Sequence, residues 1–190
     1  MDAGARLLED RSFSAITVSD IVAEAQSSVG SFYARFKDKD AFLAYLHAHY
    51  QEQVVEGVDA LLDPARIADM DVEALLREVV PVFVQAHAEM QGLMRALHAQ
   101  AAIDPEFRAR EETLNHHIAE RFAQALQPHR DSIGHPDPER AIDFAVVSML
   151  GALIQRVFFR GPGALEFDDA QYTEHLVHAF MAHLQLGERS

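Results

Sequence analysis

The chain of 190 residues contains no cysteine, which excludes disulfides, thiolate zinc sites and a cysteine nucleophile. Positive charge is scarce. Sixteen Lys and Arg stand against thirty Asp and Glu, a formal net charge of −14, and only Lys37 and Lys39 are lysines. No apolar run approaches the roughly 20 residues that span a bilayer. No secretory leader is visible, and Met1-Asp2 begins almost inside the first helical pattern. There is no phosphate-binding glycine loop, no Gly-x-Ser-x-Gly elbow, no His-Glu-x-x-His helix and no Glu-x-x-His pair of the di-iron type. Strand-length alternation, internal repeats and low-complexity tracts are also missing. These absences set the expectation of a cytoplasmic protein that is not an enzyme, holds no cofactor and has no membrane partner.

Hydrophobic residues make up 49% of the chain, enough to bury a core and to exclude disorder. The most informative stretch runs from Thr17 to Leu46. Thr17 followed three positions later by Asp20 is a capping box, opening a helix with Val18, Ile21, Val22 and Ala25 on one face. Gln26 and Ser27 break that period. Ser28 caps a second short helix with Val29, Phe32, Tyr33 and Phe36 at spacings of three and four. Asp38 then caps a third, faced by Phe42, Leu43, Leu46 and Tyr50. Ahead of the motif, Ala5, Leu7 and Leu8 read as a helix leading into Phe13. Two short helices around a tight turn are the layout of a helix-turn-helix, whose second helix lies in the DNA major groove.

On these residues, positions 3–50 resemble the DNA-binding domain of the tetracycline-repressor (TetR) family of bacterial transcription regulators. Phe13, Thr17, Val18, Ile21, Ala25, Ser28, Gly30, Tyr33, Phe36, Lys39 and Leu43 fall on the family pattern in register. Ser12 stands where glycine is usual, and Gln26-Ser27 where Gly-Val is usual. Gln26 must therefore enter a turn conformation that glycine reaches more cheaply, and Ser27 puts a hydroxyl where an apolar plug is expected.

The resemblance implies an all-α fold: an N-terminal three-helix helix-turn-helix DNA-binding domain (1–46) and a C-terminal helical ligand-binding and dimerisation domain (47–190). It implies that Thr17, Tyr33 and Lys39 hold phosphates, helped by amides at helix starts such as the one capped by Ser28. Val29, Gly30, Ser31, Ala34 and Arg35 would face the groove, with Arg35 placed for a bidentate guanine contact and Val29 and Ala34 for a thymine methyl. For Tyr33, core packing and phosphate contact stand level, and both can hold; Phe36 reads as core. The basic footprint would be Arg35, Lys37 and Lys39, with Arg6 or Arg11 adding to it. Residues 1–50 carry five basic against seven acidic side chains, and the remainder eleven against twenty-three. Family members often carry a basic arm ahead of the first helix. Without it, modest DNA affinity with steep salt sensitivity is expected.

Beyond residue 40 the pattern is helical throughout: a long helix from Asp40 to about Leu62, stopping before Pro64; Val72 to Met90, kinked at Pro81; a break at Gln91-Gly92; Leu93 to Ala102. Asp104-Pro105 opens a helix to about Gln127, and 128–136 is a loop. Asp137-Pro138 opens a helix to about Arg160, stopped by Gly161-Pro162-Gly163. Asp168 starts the last, reaching about Leu186. The final two carry broad apolar faces. The resemblance implies that this pair meets its copy as a four-helix bundle, through Ala145, Met149, Ala152, Leu153, Phe159, Leu176, Ala179, Phe180 and His183. It also implies a pocket for a small, mostly apolar effector, with Phe83, His87, Met90, Met94, Leu97, His98, Phe122, Met149 and Phe158 as candidate lining.

Among eleven histidines, His175, His178 and His183 share one helix, and Glu112, His116 and Glu120 another. Either set could grip a metal with a further ligand, but solvated helix faces are the expectation, and no metal site is assigned. The implied function is a homodimeric repressor released from its operator by an effector that shifts the helix following Asp38. Activators within the family leave the sign of control open. The rival reading is an all-helical interaction or metal-binding protein that no longer binds DNA specifically.

Overall fold

The protein is described by a computed structural model over residues 6–9, 11–159 and 167–186, and within them every regular element is helical. Residues 6–9 form the helical segment α1, followed by a 3-10 turn at Phe13–Ala15. Then come α2 (Val18–Glu24), α3 (Val29–Arg35), α4 (Lys39–Leu61), α5 (Pro64–Ile67), α6 (Val72–Glu89), α7 (Gln91–Ile103) and α8 (Pro105–Leu126). A 3-10 turn at Gln127–Ser132 leads to α9 (Pro138–Phe158) and α10 (Asp169–Leu184).

The caps explain where these helices start, and they absorb part of the acid excess. Six aspartates accept from a first-turn amide: Asp38, Asp63, Asp71, Asp104, Asp137 and Asp168. A carboxylate there meets unpaired N–H groups and the positive end of the helix dipole at once. Asp63-Pro64 carries the same signal as Asp104-Pro105 and opens α5, whereas the sequence read Pro64 only as a stop. Residues 128–132, read as loop, wind into the 3-10 turn Gln127–Ser132. The stop expected at Gly161-Pro162-Gly163 lies outside the described residues.

Gly92 is the clearest correction. It does not break the chain but sits inside α7, buried, with no room for a side chain: a Cβ there would lie 2.1 Å from the Leu8 carbonyl oxygen. The glycine permits a close backbone approach, and the break falls two residues earlier, at Met90.

By Cα proximity the chain divides into two compact units, Met1–Val54 with Glu89–Glu112, and Val55–Ala88 with Thr113–Ser190. In the first, Leu8, Ile16, Ile21, Phe32, Leu43 and Leu46 are buried together with Leu93 and Leu97 of α7. Arg95 donates to the Glu9 carbonyl at 2.8 Å, and Gln51 to the Arg110 carbonyl at 2.8 Å, tying α7 to α1 and α8 to α4. In the second, Leu75, Leu76, Val79 and Val80 of α6 are fully buried, and the Phe122 ring meets those of Phe83 and Phe180. Tyr172 donates to the Ala152 carbonyl at 2.6 Å, and Arg156 donates to Asp169 at 2.6 Å while lying over the Tyr172 ring, so α9 and α10 are locked side by side.

No uninterrupted apolar run reaches about 20 residues, but one helix has a high average hydropathy. α9 is long and apolar enough to cross a membrane by length and composition alone, with a mean hydropathy of 1.6. Within the second unit it buries Ala141, Ile142, Ala145, Val146, Met149, Leu150, Leu153 and Val157, so one side of that apolar surface is core.

Candidate nucleic-acid interface

The interface is built from the turn between α2 and α3. Thr17 completes its capping box: its hydroxyl donates to Asp20 Oδ2 at 2.7 Å and accepts from the Asp20 amide at 3.2 Å. Arg11 also holds Asp20, and with the Thr17 bonds it keeps that carboxyl well below the usual carboxylate range. At the other end of α2 the Ser27 amide reaches the Val22 carbonyl at 2.8 Å and the Gln26 amide the Ala23 carbonyl at 3.1 Å. This 6→1 and 5→2 pairing is a Schellman motif. Its pivot is Gln26 at φ 48°, a left-handed backbone on a residue with a Cβ. Ser27, in the position where the motif favours an apolar contact, is exposed.

Ser28 then caps α3 by accepting from the Ser31 amide at 3.1 Å. α3 buries Phe32, and the half-buried Phe36 follows. Their rings pack with each other and with Phe42 of α4 at centroid distances of 5.3–5.9 Å. That pins one side of α3 and leaves Val29, Gly30, Ser31, Tyr33, Ala34 and Arg35 exposed, Val29 at 45% and Tyr33 at 56%. The Tyr33 ring still meets Phe32 edge-on, so its packed base and its open hydroxyl end coexist.

The five cations of residues 1–50 divide sharply. Arg6 pairs with Glu24 at 2.7 Å, and Arg11 with Asp20 and the Ala15 carbonyl. Lys39 is turned inward: Nζ donates to the Phe13 and Ile16 carbonyls at 2.8 and 2.9 Å and lies over the Phe13 ring. It closes the 3-10 turn ahead of α2. Arg35 and Lys37 have no carboxylate or carbonyl partner among the described residues. The Arg35 guanidinium instead rests on the Tyr45 ring, 4.7 Å from its centroid, and near Phe36 at 5.3 Å.

The candidate effector residues fall in both units: Met90, Met94, Leu97 and His98 in the first, and Phe83, His87, Phe122, Met149 and Phe158 in the second. Phe83, Met94, Leu97, Phe122 and Met149 are buried. His87 Nδ1 bonds the Phe83 carbonyl at 2.8 Å. The candidate interface residues Ala145, Met149, Leu153, Leu176 and Phe180 are also buried within the chain, Ala152 and His183 are half-buried, and Phe159 and Ala179 are exposed. What α9 leaves exposed is a different stripe, with Phe144 and Val147 each at 60% and Gly151 and Phe158 further along. Within the candidate set Glu112, His116 and Glu120, His116 and Glu120 meet at 3.2 Å, and on the other helix the contact is to a glutamate outside the set. His178 meets Glu174 at 3.3 Å. No group of three metal-ligating side chains gathers among the described residues.

One buried cluster had no counterpart in the sequence reading. His47, with no exposed surface, bonds Glu111 at 2.6 Å through Nε2, stacks on Phe107 and leaves Nδ1 without a partner. His98 lies 3.8 Å from the same carboxylate, and burial holds it toward its neutral form. Burial and the Glu111 charge push the nearby Tyr50 hydroxyl well above its ordinary value. The available signal was a histidine on the Leu43–Leu46–Tyr50 stripe. Its partner, 64 residues away, was not readable.

Comparison with known proteins gives the same answer at both ends of the chain. Residues 1–46 match the family described as bacterial regulatory proteins, tetR family, and residues 71–184 match the tetracyclin repressor-like C-terminal domain. YwcC of Bacillus subtilis (strain 168), an uncharacterized HTH-type transcriptional regulator, is 48% identical over 46 residues, which are 24% of this chain and 21% of that protein. The match therefore spans about a fifth of the relative's length. The fold is shared with a regulator assigned to the TetR family from Mesorhizobium loti MAFF303099, at 17% identity and a TM-score of 0.77 over 97% of this chain and 92% of that one. It is also shared with a bacterial regulatory protein of the tetR family from Rhodococcus RHA1, at 16% identity and 0.75 over 98% and 95%. An all-α chain with this capped helix-turn-helix, matched to the family over both parts, belongs to the TetR family of DNA-binding bacterial transcriptional regulators.

Proposed function

We propose that the protein is a homodimeric repressor that holds a double-stranded DNA operator and leaves it when a small, mostly apolar effector binds. Residues 1–46 would read the DNA and residues 47–190 would take the effector and the second copy, in the bacterial cytoplasm. The observation that carries this reading is the exposed side of α3. Its polar and small residues stand clear of the core, and Arg35 and Lys37 keep their donors unpaired, while Arg6 and Arg11 are held in surface ion pairs and Lys39 is turned inward. Arg35 would take a guanine, Val29 and Ala34 a thymine methyl, and Thr17, Tyr33 and Lys37 the phosphates on either side.

A second copy suits the exposed stripe of α9. Phe144, Val147, Gly151 and Phe158 recur at helical spacing on the side of α9 that the second unit does not bury, and such a patch is typical of an interaction surface. For the effector, each unit holds one half-buried histidine, His87 in the second and His98 in the first, and each is a candidate polar group within its own unit. Coupling has a physical route within the first unit, because α7 touches α1 through Gly92 and Arg95. The effector must bind more tightly to the arrangement that does not fit the operator.

The deciding experiment is fluorescence anisotropy on the DNA upstream of the protein's own gene, with Arg35→Ala beside the wild type. Saturable binding by two copies per site, and a loss of about 1–3 kcal/mol of discrimination at one base pair in the variant, is the expected result. Binding no better than to random DNA, unchanged in the variant, would favour an interaction protein, a reading to which the net charge of −14 lends weight.

A further inference from the structure

Arg35 does not hang free in solvent. Its guanidinium lies on the face of Tyr45, 4.7 Å from the ring centroid, and no hydrogen-bond or ion-pair partner for it exists among the described residues. Tyr45 belongs to α4, the helix after the one that carries Arg35, and it is 39% exposed. Two neighbours set its own orientation. The Phe36 ring is 5.4 Å away, and the His49 ring, one turn along α4, lies parallel within 8° at 6.5 Å. The ring is therefore packed between two aromatic neighbours rather than standing alone on the surface.

The guanidinium is planar with all its donors in that plane, so attraction to an aromatic ring through the π cloud restrains the cation without using up a donor. That is the presentation a bidentate contact to guanine O6 and N7 requires: two coplanar N–H groups in a fixed fork. An Arg35 without the platform would lose rotamer freedom only on meeting DNA, and that ordering would weaken every correct contact. We propose that Tyr45 is a positioning residue for base reading: it holds Arg35 in the pose in which it discriminates guanine, without touching the base itself. This rests on the reading of Arg35 as the base-contacting arginine.

The test uses full-length protein and a duplex selected by the wild type from a randomised pool, together with its single-base variants. Discrimination is the ratio of Kd values for the changed and the selected duplex at each position. Arg35→Ala should flatten discrimination at one position. Tyr45→Leu keeps apolar bulk against Phe36 but removes the π face, and Tyr45→Gln does the same with a side chain suited to exposure. Both should lower discrimination at that same position by roughly three- to tenfold, while leaving the other positions and the melting temperature near wild type. Tyr45→Phe should restore the full ratio. If Arg35→Ala flattens a position and neither Tyr45→Leu nor Tyr45→Gln lowers it, or if they weaken all sequences equally, the positioning role is overturned while Arg35 stands as the reader. If Arg35→Ala changes no position, the reading of Arg35 fails, and the role of Tyr45 with it.

Discussion

Substituting alanine at two helical glycines should move stability in opposite directions, and the difference can be worked from distances. At Gly92 a Cβ would lie 2.1 Å from the Leu8 carbonyl oxygen, 2.3 Å from its carbon and 2.6 Å from the Glu9 nitrogen. All three are backbone atoms that cannot swing aside. Ordinary contact begins near 3.4 Å, so α7 and α1 must part by roughly 1.3 Å, and close-packed interiors resist that. Overpacking of this kind costs about 3 kcal/mol at the upper end of its range. Parting the helices also breaks the 2.8 Å bond from Arg95 to the Glu9 carbonyl, worth about 1 kcal/mol. Alanine's helix preference returns at most about 1 kcal/mol. The net is a loss of about 3 kcal/mol, or roughly 6–12 °C in Tm for a chain of this size. Gly57 in α4 has nothing within 4 Å of its Cβ position, so Gly57→Ala should gain about 0.5–1 kcal/mol from propensity alone. Urea unfolding of the two variants beside the wild type measures both. A Gly92→Ala protein within 0.5 kcal/mol of wild type would show that the close approach of α1 and α7 is not there, and with it would go the route by which α7 could act on the DNA-reading end.

Gln26→Gly relieves a left-handed pivot at φ 48° and should stabilise the first unit by about 1 kcal/mol in urea unfolding; no gain would mean that the turn relaxes at no cost. Lys39→Met removes two donors to the Phe13 and Ile16 carbonyls and should cost about 1–2 kcal/mol with no DNA present. A variant as stable as wild type but weaker on DNA would return Lys39 to the phosphate role that the family resemblance implies. His98 sits below its ordinary value because burial disfavours its charged form, with Glu111 pulling the other way and His47 adding to the depression. Its contribution is therefore fully present above the unfolded value of about 6.5 and is lost as pH falls from there through the lower folded value. The urea midpoint should drop on acidification across that window, and His98→Phe should flatten the slope; an unchanged slope would assign the acid sensitivity elsewhere.

What the sequence made legible were features whose cause is local. Thr17 with Asp20, Ser28, Asp38, Asp104, Asp137 and Asp168 each announce a helix start within three residues, and each does what it announces. Misreadings arose where a local signal had a distant cause. Gly92 looks like a breaker until the Leu8 backbone is placed against it. On α9, apolar residues occupy both sides, so periodicity alone cannot tell the buried Met149 and Leu153 from the exposed Phe144 and Val147. The basic footprint suffered most. Five cations are visible in residues 1–50, but the engagement of Arg6 by Glu24, 18 residues away, and of Lys39 by the Phe13 carbonyl, 26 away, depends on the fold.

That last point changes the salt dependence to be expected. Each phosphate neutralised by a lysine or arginine contributes about −0.9 to the slope of log K against log salt. With Arg35 and Lys37 the unpaired cations among the described residues of the DNA-reading end, a dimer would offer at most four such charges there, even if Arg35 reaches phosphate as well as base. The slope should then be about −4 or shallower, not the steep dependence that five cations per copy would give. The acidic remainder of the chain reduces it further. Its repulsion of DNA is screened as salt rises, which opposes the loss of counterion release. Affinity would then rest more on neutral donors, such as the helix-start amides and the exposed Tyr33 hydroxyl, and these also favour shape and sequence over bulk charge. Anisotropy titrations from 50 to 300 mM salt, on the order of the range in which such slopes are read, give the number. A slope steeper than about −7 would mean that Lys39, Arg6 or Arg11 leaves its partner on binding, and that the ion pairs of the DNA-reading end rearrange on the operator.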